Sequence, residues 1–245
     1  EHSWRLYAEQ HAPYGDQLAG KGYTPLYLRY NTGLHISLNG RTLSRAIDKL
    51  VAHWPVPVTE LVLIGHSMGG LVARSAAYKA AKANMGWPQK LSHVLCLGTP
   101  HTGAPLEQFV HAATPVLEAF PLSRPLAKVL NVRSQGIRDL RHGFVSDEDW
   151  KGRPADALNA EARTPIPRLD SVKYHFIGSS IGVDEHHWLG KAIGDGLVKL
   201  PSSTARELAD ADTAVLYSAH HMQLLNHPAI YTQIAQRLGA KKAIK

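Results

Sequence analysis

Gly65-His66-Ser67-Met68-Gly69 places a serine at the centre of a G-x-S-x-G pattern. The apolar run Leu61-Val62-Leu63-Ile64 precedes it, and Leu71, Val72, Ala73, Ser75, Ala76 and Ala77 follow. This predicts a strand, a sharp turn and a helix, the context in which the pentapeptide presents a serine hydroxyl as a nucleophile. Gly65 and Gly69 have no Cβ, so the chain can reverse there and the strand and helix can pack closely. The N–H of Met68 opens the helix at the positive end of its dipole, where it can donate to an oxyanion. The chemistry of such a group is covalent: attack on an acyl carbonyl while a base takes the hydroxyl proton.

The chain that must position this serine has 245 residues, enough for one α/β domain with a sizeable core. No apolar run is long enough to span a bilayer. The opening residues Glu1-His2-Ser3-Trp4-Arg5 show no apolar leader core, and a cytoplasmic location is the expectation. The single cysteine, Cys96, sits in Val94-Leu95-Cys96-Leu97 and reads as a buried strand residue. Without an intrachain disulfide the fold does not rely on an oxidising compartment. The net charge of +7 is spread along the chain, apart from a small cluster at Lys241, Lys242 and Lys245. It leaves contact with an anionic membrane surface open without calling for it. No nucleic-acid motif is present. The chain has 15 histidines, but the adjacent pairs His186-His187 and His220-His221 would point apart on regular structure. No metal and no cofactor are expected, and the oligomeric state is not legible.

Residues 4–18 could form a helix, weakened by Pro13 and Gly15, and residues 24–30 read as a strand with Pro25 near its start. An amphipathic helix is expected over residues 41–54, with Leu43, Ile47, Leu50, Val51 and Trp54 on one face and Pro55 and Pro57 ending it. Further strands are expected at 92–97, 172–178 and 214–217, and a last helix after Pro228 with Ile230, Ile234 and Leu238 on one face. Apolar strands alternating with helices predict a mostly parallel sheet covered on both faces, its site at the strands' carboxyl ends. Ser67 falls there, and so does Thr99-Pro100-His101, whose histidine reads as a loop residue at the active-site mouth.

Between residues 106 and 167 the alternation stops and helical stretches appear. Residues 1–245 therefore read as one domain, with 106–167 inserted between core strands as a cap or lid. Val110, Val116, Leu117, Phe120, Leu122 and Leu126 could line an acyl-chain pocket or pack the cap onto the core.

Gly65-His66-Ser67-Met68-Gly69-Gly70-Leu71-Val72-Ala73-Arg74 resembles the elbow of α/β-hydrolase lipases and esterases. Leu97-Gly98-Thr99-Pro100-His101-Thr102-Gly103-Ala104-Pro105 is similar to the segment after the next strand in the same broad group, which includes the PGAP1-like branch. The resemblance implies the α/β-hydrolase fold and a Ser…Asp…His order along the chain. Gly194-Asp195-Gly196-Leu197-Val198 resembles the loop that carries the acid, and the flanking glycines let the Asp195 carboxylate turn freely. Asp184, Asp210 and Asp212 are its rivals. The base of the resembling lipases lies three residues before a paired leucine, here His221 ahead of Leu224-Leu225, with His220 as rival.

The resemblance thus implies a serine hydrolase of carboxylic esters acting on a small-molecule or lipid ester. His221 would deprotonate Ser67, Asp195 would hold the histidine tautomer, and the Met68 N–H would bind the oxyanion. An acyltransferase would share the acyl-enzyme, and a catalytically silent binding module is the reading from another class. Enzymes of this type have an earlier strand ending in His-Gly whose loop gives the second oxyanion donor. No such strand precedes the first helix here. The sequence is expected to start just after it, or to complete the hole differently, with weak activity or stability in consequence.

Overall fold

The computed structural model describes residues 3–6, 8–103, 134–153, 163–183 and 212–239. Among these residues four strands form one parallel sheet in the order β1 (Leu61–His66), β2 (Leu91–Leu97), β3 (Lys173–Ser179) and β4 (Asp212–Leu216). Helices α1 (Tyr14–Ala19) and α2 (Ile36–His53) precede the sheet, and α3 (Met68–Lys82) joins β1 to β2. Helix α4 (Gln135–His142) lies between β2 and β3, and α5 (Pro228–Leu238) follows β4.

Side chains alternate across a strand, and β2 divides the core accordingly. Val94 and Cys96 pack with Ile47 of α2, Ala73, Ala77 and Ala80 of α3, and Phe176 of β3. Leu95 and Leu97 pack on the other face with Tyr14 and Leu18 of α1 and Ile230, Ile234 and Leu238 of α5. Both sheet faces are therefore covered, as the apolar runs predict. Cys96 is fully buried, and burial pushes its thiol up to about 12.

Three expectations are corrected. The helix expected over 4–18 is only a 3-10 turn at Ser3–Arg5 and the short α1, because Pro13 stands as N-cap. Residues 24–30 form no strand. Tyr27 does turn inward, where a Cβ on Gly15 would lie 2.1 Å from its hydroxyl, while Leu26 and Leu28 are exposed. The alternation is strand-like, but no described strand pairs with it, and β1 is an edge of the described sheet. Helix α2 begins earlier than expected because its polar first turns are engaged. Asn39 Nδ2 donates to the Asn31 carbonyl at 2.8 Å, and Ser37 Oγ accepts from Trp150 Nε1 at 3.0 Å.

The described part of the 106–167 insertion is built onto α2 and α3. The Ile36 N–H and His35 Nδ1–H donate to Asp139 of α4, at 2.7 and 3.0 Å. The Trp150 ring stacks on His35 with centroids 3.7 Å apart. Ile137, Leu140, Val145 and Ile166 pack with Met68, Leu71 and Val72.

Candidate active site

The elbow begins where β1 ends. Gly65 must be glycine: a Cβ there would lie 2.5 Å from backbone atoms of Gly69 and Gly70. Ser67 then takes φ 53° and ψ −125°, a conformation ordinary side chains avoid. Its N–H donates to the Leu97 carbonyl at 2.8 Å and its carbonyl accepts from Gly70 N–H at 3.1 Å. The turn is thus fastened to β2 on one side and to α3 on the other. Met68 is the first residue of α3, so its N–H belongs to the turn whose donors lack intrahelical acceptors.

The sequence pattern gave Gly69 the same steric role as Gly65; the structure assigns it to Gly70. A Cβ on Gly70 would lie 2.1 Å from Thr99 Oγ1, whereas one on Gly69 would meet only the Tyr30 hydroxyl, at 3.8 Å. The half-buried Tyr30 therefore stands at this helix end, and burial raises its hydroxyl to about 12, keeping it a proton donor. Nothing in the local sequence around Tyr30 signals that placement.

His221 opens a 3-10 turn, His221–Leu225, between β4 and α5, and it is buried. Its ring lies on Gly98, where φ is +58° and a Cβ would come within 2.8 Å of Cε1 and 2.9 Å of Nδ1. The His66 ring approaches it at 4.5 Å, and His66 Nε2–H donates to the His221 carbonyl at 3.1 Å. Ser67 follows His66, and Gly98 follows the residue that accepts from Ser67. The serine turn and the histidine turn therefore meet at one point, the carboxyl ends of β1 and β2. Tyr14 straps the same turn from α1: its hydroxyl donates to the Leu224 carbonyl at 3.0 Å and accepts from His227 N–H at 2.8 Å. His220 precedes the turn, its N–H donating to Gln223 Oε1 at 2.8 Å.

Asp195 lies outside the described residues, as do Asp184, Asp210, His186 and His187. Asp212 is the first residue of β4, at the end of the sheet away from Ser67. There it accepts from His175 Nδ1 at 2.9 Å and from Arg237 at 2.6 Å. Four strand residues, roughly 13 Å at 3.3 Å each, separate it from the carboxyl end, so it is not placed as the acid. His101 does not line an open mouth as expected. It is buried against Phe176 and accepts from Arg74 Nη1 at 2.9 Å. Burial and the Arg74 charge hold it neutral, with its pKa well below the ordinary histidine range.

A parallel sheet clad on both faces, with a strained serine on the turn from strand to helix, defines an α/β-hydrolase of the lipase-like group. Residues 27–157, more than half of the chain, match the PGAP1-like alpha/beta domain, and the chain belongs to that family. Among solved structures, the lipase BlEst2 of Bacillus licheniformis in its propeptide form is 17% identical with a TM-score of 0.50. The match covers 86% of this chain and 42% of that one, so this chain spans less than half of that structure. The mature form of the same lipase gives 17% identity and a TM-score of 0.49 over 84% of this chain and 74% of that one. A thermophilic esterase gives 13% and 0.48 over 88% and 75%. At these identities the likeness to the propeptide form speaks for the fold alone. No curated protein matches the chain.

Proposed function

We propose that this protein is a serine hydrolase of carboxylic esters that works through an acyl-enzyme on Ser67. The observation that carries the reading is the Ser67 turn, held at φ 53° beside the turn that bears His221. In the proposed reaction Ser67 Oγ attacks the ester carbonyl while His221 takes its proton. The Met68 N–H, at the positive end of α3, donates to the oxyanion. His221 returns the proton to the leaving alcohol, then activates the water that releases the acid. Asp195 is the proposed partner that holds the His221 tautomer and stabilises the imidazolium. The substrate is a small-molecule or lipid ester. Residues 106–167 are proposed to cover its acyl part, a reading supported by the packing of Ile137, Leu140 and Ile166 beside Met68.

The test is turnover of a p-nitrophenyl ester series of increasing acyl length. The proposal expects burst kinetics with the wild type and at least a ~10³-fold loss in Ser67→Ala, since removing any triad member leaves only residual catalysis. Equal turnover by Ser67→Ala and wild type would overturn it.

A further inference from the structure

We infer that His66 is a positioning residue for His221: its imidazole ties the backbone of the base to the strand that carries the nucleophile. The inference rests on the reading of His221 as the base.

The strand period puts His66 where this requires. Leu61 and Leu63 of β1 pack toward α2 and α3, whereas Val62 and Ile64 pack toward α1 and α5. Two residues on, His66 shares the face of Val62 and Ile64, the face on which the His221 turn lies. An aliphatic residue would continue the apolar series at position 66. The histidine instead meets a main-chain acceptor. The His221 carbonyl can only accept, so His66 Nε2 carries the proton at the 3.1 Å contact. That contact spans 155 residues of sequence and joins the two turns of the proposed site. The His66 ring is itself approached edge-on by Trp4, with centroids 6.5 Å apart.

Two neighbours among the described residues help fix the place of the His221 imidazole. Gly98 sets how close its ring can approach the end of β2, and His66 sets the height of its backbone above β1. Ser67 follows His66 directly, so any shift of one relative to the other passes through a single peptide unit. Proton transfer from serine to histidine needs near-contact geometry, and a misplacement of about 1 Å costs on the order of 100-fold. In this scheme His66 takes no proton from Ser67; its ring packs on the His221 ring and its Nε2–H holds the His221 carbonyl. It acts through the backbone of His221.

The test compares kcat, KM and thermal midpoint of the whole protein on one p-nitrophenyl ester, for wild type, His66→Phe, His66→Gln, His66→Asn and His221→Ala. The glutamine amide can set a nitrogen donor near the place of histidine Nε2, whereas the asparagine amide is one carbon short. The inference expects His66→Phe and His66→Asn to lower kcat about 10- to 100-fold with KM within about twofold. It expects His66→Gln to recover at least about tenfold of that loss, with the acid limb of kcat/KM where the wild type has it. A merely space-filling role would favour phenylalanine over glutamine. Wild-type kcat in His66→Phe, or glutamine no better than asparagine, overturns the inference. Should the phenylalanine variant not fold, the glutamine–asparagine pair decides alone. Wild-type turnover in His221→Ala would instead overturn the reading of His221 as base, and the inference with it.

Discussion

Holding Ser67 at φ 53° and ψ −125° costs about 1–3 kcal/mol, so its neighbours must leave it no alternative. The glycines do this by close approach. Ala at Gly65 or Gly70 would drive a methyl into the Gly69–Gly70 backbone or into Thr99. We expect Gly65→Ala and Gly70→Ala to fold poorly, and Gly69→Ala to keep a thermal midpoint near wild type, as circular dichroism melts would show. A Gly69→Ala as damaging as Gly65→Ala would contradict the assignment of the close approach to Gly70. Gly98 tests the proposed base in the same way. Its Ala variant would meet His221 and Leu224 at about 2.8 Å and carry a strained φ of +58°. Gly98→Ala should therefore lower kcat at least tenfold, and an unchanged kcat would remove His221 from the reaction. The proposed roles of Ser67, Met68 and His221 were suggested by the sequence, because each residue belongs to a short pattern with a mechanism. Gly98, His66 and Tyr30 meet partners far along the chain, and no local spacing reveals such contacts.

The C-terminal elements are fastened at both ends. At the carboxyl end of the sheet Tyr14 holds the His221 turn. Tyr14→Phe removes the hydroxyl's bonds to the Leu224 and His227 backbones and should cost about 1–3 kcal/mol of stability by urea unfolding. A loss below about 0.5 kcal/mol would show that water replaces these bonds. At the amino end a chain of four side chains crosses β2, β3, β4 and α5. His93 Nδ1 and His175 Nε2 are 2.9 Å apart, His175 Nδ1–H donates to Asp212, and Arg237 donates to the same carboxylate. Lys173 and Glu60 are the other charges acting on the pair. Because Asp212 fixes the Nδ1–H tautomer of His175, its Nε2 accepts and His93 Nδ1–H donates.

Both rings are held below the ordinary histidine range, first by burial, and for His175 against the upward pull of Asp212. Below about pH 6.5 the unfolded chain then binds more protons than the folded one. The stability this pair contributes is full above that pH and is lost as pH falls through it. Thermal midpoints should drop between pH 7 and pH 5, and His93→Asn should flatten the drop. His101, His142 and His227 are lowered as well, so part of the slope remains. A His93→Asn profile parallel to wild type would contradict the account. Among the elements, the four strands, α2, α3 and α5 were legible from apolar periodicity. Residues 24–30 were misread because inward and outward alternation marks an extended chain whether or not a neighbour pairs with it. The early start of α2 was hidden because Ser37 and Asn39 are satisfied by Trp150 and Asn31, far or irregular partners.

At the scale of the molecule, two packed layers on one parallel sheet follow from the alternation of apolar strands and helices, and that alternation was the clearest message of the sequence. No described helix is long and apolar enough to cross a membrane. The position of the proposed acid, Asp195, lies outside the described residues, so the triad is completed by proposal. The most direct measurement is labelling of the whole protein with a fluorophosphonate, with intact mass and peptide mapping, on wild type and His221→Ala. The account predicts one adduct, on Ser67 in the wild type, and at least a ~100-fold slower reaction in His221→Ala. No adduct on the folded protein, or an adduct on another residue, would contradict it.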